Sequence, residues 1–197
     1  MEYLKADQLP FDPRPQMSAI FVEGFYQWLN YFSKDKEKLS KAFAHIFDLG
    51  AFYIAVENGE IAAIVACTTG KPPLIGLDKA TLVKNLGLVR GNFAHFMLTK
   101  HLIRRKYPFV IPTGTGTIEF VATAPNHRGK GAAHGLITHI METTSYTEYL
   151  LEVANNNTPA VRLYEKLGFT EFTRAPAPKQ SGFNHLSYMK AEAGSRK

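Results

Sequence analysis

The sequence predicts a mixed α/β domain built around one sheet, and three stretches carry that prediction. The first is a pair of short apolar runs, Phe52 to Val56 and Ile61 to Cys67, joined across Asn58-Gly59, a dipeptide that favours tight hairpin turns. The second is a run of strand character from Thr117 to Thr123. It passes through a glycine-containing turn into a helix striped by Ala133, Leu136, Ile137, Ile140 and Met141, and then into a strand from Tyr149 to Val153. The third is a short helix from Pro159 to Leu167, stopped by Gly168, with strands Phe169 to Thr173 and His185 to Lys190 after it. A chain of 197 residues can bury one sizeable core, so one domain is expected over 1–197.

The remaining elements follow from spacing. Met17, Phe21, Phe25 and Trp28 recur at three- and four-residue steps and predict a helix from Gln16 to Leu29. A charged helix from Lys34 to Phe47 follows, with Leu39, Phe43 and Ile46 on one side and Leu49-Gly50 as its stop. Residues 70–116 read as a helical insertion. Pro72-Pro73 breaks structure, and helices are expected over Leu77 to Leu86 and Gly91 to Arg105. Lys100, His101, Arg104, Arg105 and Lys106 cluster in the last turn of the second, where the negative end of the helix dipole favours cations. The Pro-rich stretch Ala175-Pro176-Ala177-Pro178 separates the last two strands.

Composition narrows the class. Hydrophobic residues make up 45%, which argues against wholesale disorder. No apolar run approaches the length that spans a bilayer, and the first residues have no basic segment leading into an apolar one, so a cytoplasmic protein away from membranes is expected. Cys67 is the only cysteine and sits inside an apolar run, which favours a buried structural thiol over a nucleophile. The net charge of +6 suits a polyanionic ligand, yet no zinc-finger or basic-zipper signature accompanies it, which argues against a dedicated nucleic-acid binder. The histidines do not fall at metal-ligand spacings. His134 and His139 are five apart and His95 and His101 six apart, so no metal is expected.

The turn between Thr123 and the following helix carries the most chemistry. It reads Pro125-Asn126-His127-Arg128-Gly129-Lys130-Gly131-Ala132-Ala133. Small residues let a backbone approach a ligand closely, and the unpaired N–H groups of a first helical turn favour an anion. Arg128 and Lys130 add positive charge. The segment is either an anion cradle suited to a pyrophosphate or an ordinary strand–turn–helix. It is not a Walker loop, and His134 stands where a dinucleotide fingerprint requires Gly or Ala. Downstream, Asn157 or Thr158 can cap the next helix, and Tyr164 lies two turns beyond Asn157.

Together these segments resemble the GNAT superfamily of acyl-CoA N-acyltransferases. Arg128-x-x-Gly131-x-Ala133 matches its Arg/Gln-x-x-Gly-x-Gly/Ala signature. Asn157, Ala160, Leu163, Tyr164, Lys166, Gly168 and Phe169 match its Asn-x-x-Ala-x-x-Leu-Tyr-x-Lys-x-Gly-Phe stretch. The resemblance covers about Thr117 to Thr173 and implies a GNAT fold: a mixed central sheet with helices on both faces. It implies an N-acetyltransferase that moves the acetyl group of acetyl-CoA to a primary amine, on a small molecule, peptide or protein, by direct attack in a ternary complex. Backbone groups of Val121, Ala122 and Thr123 would hold the pantetheine. The amides of Arg128, Gly129, Lys130, Gly131, Ala132 and Ala133 would hold the pyrophosphate, and Asn157 would touch the pantetheine. Tyr164 would protonate the departing thiolate. Exchange of C-terminal strands, a habit of the family, would give a homodimer.

A neutral amine is needed for attack on a thioester, so a base or water chain is required. Glu119 is the candidate base, and strand alternation predicts it on one face with Val121 and Thr123, opposite Ile118, Phe120 and Ala122. The alternative is a solvated or salt-bridged strand glutamate. The rival functions are a non-catalytic CoA-binding sensor on the same fold and a basic RNA- or ribosome-associated protein. Phe25, Tyr26, Trp28 and Tyr31 lie where the family builds its acceptor cleft, and core packing is the expected fate of most of them.

Overall fold

Short apolar runs with β-branched residues pair into a seven-stranded sheet in the order β1-β2-β3-β4-β5-β7-β6. The computed structural model describes residues 1–72, 76–103, 107–177 and 182–194. The strands are β1 (Glu2–Lys5), β2 (Phe52–Glu57), β3 (Glu60–Thr68), β4 (Thr115–Thr123), β5 (Glu148–Ala154), β6 (Thr170–Pro176) and β7 (His185–Glu192). Every neighbouring pair is antiparallel except β4–β5. Strand β1 was not expected. At four residues it is too short for its alternation to show, and it forms as an edge strand on β2.

Two apolar clusters occupy the two faces. On the front face, α1 (Arg14–Leu29) and α2 (Lys36–Phe43) bury Phe21, Leu39 and Phe43 against Phe52, Ile54, Ile64 and Ala66. On the rear face, α5 (Ala132–Thr143) and α6 (Thr158–Lys166) bury Leu136, Ile137, Ile140 and Tyr164 with Tyr53, Val65, Leu151 and Met189. Helix α2 is shorter than its charge pattern predicts. It starts at Lys36 because the Asp35 carboxylate accepts the amides of Glu37 and Lys38, and it tightens into a 3-10 turn at Ala44–Ile46.

Within 70–116 the expected helices form as α3 (Lys79–Leu86) and α4 (Leu88–Leu98), packed on the front cluster through Leu82, Leu86, Ala94 and Leu98. The second begins three residues earlier than expected and gives way to a π-helical turn at Thr99–Ile103. Arg104, Arg105, Lys106, Pro73 and Pro178 lie outside the described residues. Helices α3 and α4 cross at Gly91, where an added Cβ would stand 2.5 Å from Val83 Cα and 2.7 Å from Val83 N. Gly91→Ala is therefore expected to cost about 1–3 kcal/mol by overpacking, read as a Tm lowered by several degrees. An unchanged Tm would mean that the crossing relaxes freely.

The sheet departs from regularity where β4 leaves β5. The parallel ladder pairs Thr115 to Ile118 with Glu148 to Leu151. Beyond it β4 follows β3 to Thr123, while β5 follows β7 to Ala154. A bulge marks the divergence: Ala66 pairs with Glu119 and Ile64 with Ala122, so one strand takes two steps while the other takes three. Phe120 absorbs the extra residue at φ 51°, a left-handed conformation that a bulky side chain adopts only when its surroundings hold it. Its ring is held by Phe21, Phe25 and Phe52 at centroid distances of 5.6, 5.9 and 6.4 Å. Helix α1 is kinked at Phe25 beside this bulge. Gly24 lets it approach β4 closely, since an added Cβ would stand 3.0 Å from Ala122 Cβ.

Candidate active site

The divergence of β4 and β5 leaves two facing strand edges with no ladder between them, along Glu119 to Thr123 and Glu152 to Ala154. Backbone donors and acceptors on such edges take an extended ligand as they would take another strand. Val121, Ala122 and Thr123, the residues expected to hold a pantetheine arm, all lie on the β4 edge. Val121 belongs with the rear cluster and Ala122 with the front one.

At the end of β4 the chain makes a 3-10 turn, Pro125–His127, and then the glycine turn. Gly129 and Gly131 have φ of 74° and 83°, and a Cβ on either would meet nothing within 4 Å, so the turn borders open space. Gly131 caps α5 in the left-handed region, and the first helical bond runs from Gly135 N–H to its carbonyl at 2.9 Å. The first-turn amides of Ala132, Ala133 and His134 therefore point out of the helix, where the dipole is positive. The amides of Arg128 and Lys130 turn inward to the carbonyls of Pro125 and His127 at 3.3 and 3.4 Å. Of the six amides expected to form the cradle, those two are spent on the turn itself. The Arg128 side chain reaches back to the Thr123 carbonyl at 3.4 Å.

This turn is tied down by a contact that sequence reasoning missed. His127 is buried, with Nδ1 3.0 Å from Glu57 Oε2 at the end of β2. The partners are 70 residues apart, and no local pattern announces the pair.

Glu119 lies at the mouth of the divergence, but not on the expected face. The bulge breaks strand alternation: Glu119 pairs with Ala66 and shares the front face with Phe120 and Ala122, whereas Val121 and Ile118 face the rear cluster. The carboxylate is thus on the α1 side of the sheet, opposite Val121. Its Oε1 accepts a hydrogen bond from Tyr107 Oη at 2.6 Å. The thiol of Cys67, on the neighbouring strand, is buried and pushed up to about 12, chiefly by loss of solvent and further by the Glu119 charge. Such a thiol stays protonated and is a poor nucleophile, so it matches the structural role expected for it.

Tyr164 is buried in the rear cluster against Phe169, at a ring distance of 6.1 Å. Burial pushes its hydroxyl well above the usual phenol range, so it keeps its proton at any neutral pH. Asn157 caps α6, its Oδ1 accepting the Ala160 amide at 3.4 Å. It also lines a cleft of about 390 Å³ between α1 and the end of β5, with Glu23, Tyr26, Trp28 and Asn156 among the walls. Of the four aromatics in this region, Phe25 packs inward on Phe21 and Phe120, Tyr26 is half-buried, and Trp28 and Tyr31 are exposed. A larger cleft of about 550 Å³ lies between α6 and β6–β7 and contains none of the expected site residues. Among the described residues, no three His, Cys, Asp or Glu side chains converge as a metal set would, and no helix is long and apolar enough to cross a membrane.

This geometry can be set beside known proteins. The model of the acetyltransferase (GNAT) family matches residues 15–169. A curated relative, streptothricin acetyltransferase of Escherichia coli, is 42% identical over 57 residues, which is 27% of this chain and 33% of the relative. The match thus spans about a third of that relative's length. Among solved structures, an N-acetyltransferase from Staphylococcus aureus Mu50 superposes with a TM-score of 0.66 at 17% identity, covering 97% of this chain and 100% of that one. The ribosomal-protein-S18-alanine N-acetyltransferase of Escherichia coli gives a TM-score of 0.56 at 16% identity, covering 98% of this chain and 93% of that one. The family model covers the sheet's divergence, the glycine turn and α6 alike, and the chain belongs to the acetyltransferase (GNAT) family.

Proposed function

We propose that this chain transfers the acetyl group of acetyl-CoA to a primary amine by direct attack within a ternary complex. The observation that carries the reading is the open pair of strand edges beyond Ile118 and Leu151, ending at a left-handed glycine turn and the N-terminus of α5. A pantetheine arm fits the edges, and a pyrophosphate fits the outward amides of Ala132 and Ala133 at the start of α5. Glu119 on the front face would meet the acceptor from the α1 side, while the cofactor occupies the gap and the rear. The amine lone pair attacks the thioester carbonyl, and the proton lost from nitrogen passes to the Glu119 carboxylate, directly or through a water. The carbon–sulfur bond then breaks, and the departing thiolate takes its proton from Tyr164. Cys67 takes no part, so no acyl-enzyme forms.

The acceptor panel follows from the relatives' names and from the aromatic lining of α1: streptothricin, an alanine-initiated peptide and β-phenylethylamine. Acetyl-CoA titration followed by thiol release with this panel tests the reading. Binding with turnover of at least one acceptor is the expected result. Binding without turnover would favour a sensor on the same fold, and no binding to acetyl-CoA would overturn the proposal. Tyr164→Phe should lower kcat by about tenfold and leave acetyl-CoA binding intact, because a thiolate leaves without much help from an acid. A wild-type kcat in that variant would remove Tyr164 from the mechanism.

A further inference from the structure

Tyr107 stands outside every motif noted in the sequence, just before β4. Its hydroxyl meets the one carboxylate to which the proposed reaction assigns a proton, at 2.6 Å from Glu119 Oε1. That distance is typical of a phenol donating to an ionised carboxylate, the stronger class of hydrogen bond. The ring is braced from the other half of the sheet. It packs on Phe109 at 5.6 Å and meets the Tyr188 ring edge-on at 6.2 Å, and Tyr188 lies on β7. Phe109 in turn packs on Tyr188 at 5.2 Å and on Phe172 of β6 at 5.1 Å. Four aromatic rings therefore carry the Tyr107 hydroxyl across the mouth of the divergence, from the β6–β7 side to a carboxylate on β4.

A glutamate carboxylate sits at the end of three rotatable bonds, and a base that turns away from the amine loses rate without losing substrate affinity. We propose that Tyr107 is the positioning residue for Glu119: its hydroxyl fixes the orientation of the carboxylate so that the acceptor amine meets it correctly. The role is distinct from catalysis, since Tyr107 acts through Glu119, and it rests on the reading of Glu119 as the base. It also gives the segment after α4 a definite task. Tyr107 and Phe109 stand against Tyr188 of β7 and Phe172 of β6 and put an aromatic wall on the acceptor side of the site.

A double-mutant cycle tests this, with the best acceptor of the panel and saturating acetyl-CoA. Tyr107→Phe keeps the ring and its packing and removes only the donor. It is expected to lower kcat about tenfold, in line with loss of one hydrogen bond to a charged group, while the KM for acetyl-CoA stays at the wild-type value and the Tm falls by no more than a few degrees. In a Glu119→Gln background the same change should cost less than about twofold, because the group it positions is already gone. A Tyr107→Phe enzyme at the wild-type rate overturns the proposal. So does a full tenfold loss in the Glu119→Gln background, which would place the tyrosine's action elsewhere. A Glu119→Gln enzyme at the wild-type rate is a different failure: it removes the base itself and the positioning role with it.

Discussion

Glu119→Gln is expected to lower kcat by about 10²- to 10³-fold, the range associated with loss of a positioned base. Glutamine keeps the size of the side chain and a carbonyl oxygen that can still accept the Tyr107 hydroxyl, so the fold and the aromatic brace should survive. The loss belongs in kcat and in kcat/KM together, because proton removal is felt at the transition state and not in cofactor binding. Steady-state thiol release with acetyl-CoA and the best acceptor measures it, with acetyl-CoA titration as the control. A variant within a few-fold of wild type would mean that water alone carries the proton away, leaving Glu119 as an ordinary strand carboxylate.

Gly131→Glu is expected to weaken acetyl-CoA binding by about 100-fold or more, and it separates two effects of one position. The residue sits at φ 83°, so any side chain there costs about 1–2 kcal/mol of backbone strain. A Cβ would meet nothing within 4 Å, so steric collision does not add to that cost. A glutamate at a helix N-terminus is itself favourable to the helix, and α5 should remain formed. What the variant does is place a carboxylate where a pyrophosphate is proposed to lie. Gly131→Ala carries the strain without the charge and should lose much less affinity. Calorimetric titration of both variants, with thermal unfolding alongside, measures the difference. Equal binding by wild type and Gly131→Glu would remove the anion cradle from the account.

The parts legible in the sequence are those written locally. The hairpin about Asn58-Gly59 forms between β2 and β3, Gly131 forms the turn, and Asn157 caps α6. Each depends on residues within a few positions of one another, and the same holds for the helices of 70–116. What was not legible depends on distant partners. Nothing in Glu119-Phe120-Val121 announces a left-handed phenylalanine, because that conformation is held by Phe21, Phe25 and Phe52. Simple alternation therefore placed Glu119 beside Val121, and the bulge moves it to the opposite face, nearer the side from which an acceptor would come. The Tyr107 contact and the His127–Glu57 pair were invisible for the same reason. Strand β1 was missed because four residues are too few to show a period.

The divergence of β4 and β5 also bears on what holds the molecule together. Four antiparallel strands, β1 to β4, form one plate, and β5, β7 and β6 form another. Among the described residues, the backbone ladder between the plates has only the four rungs from Thr115–Glu148 to Ile118–Leu151. A molecule bonded to both open edges lengthens that short seam with its own atoms, as a keystone locks two halves of an arch. On this reading a bound cofactor is a load-carrying member of the sheet as well as a reactant, and the rigidity of the acceptor side depends on whether it is in place.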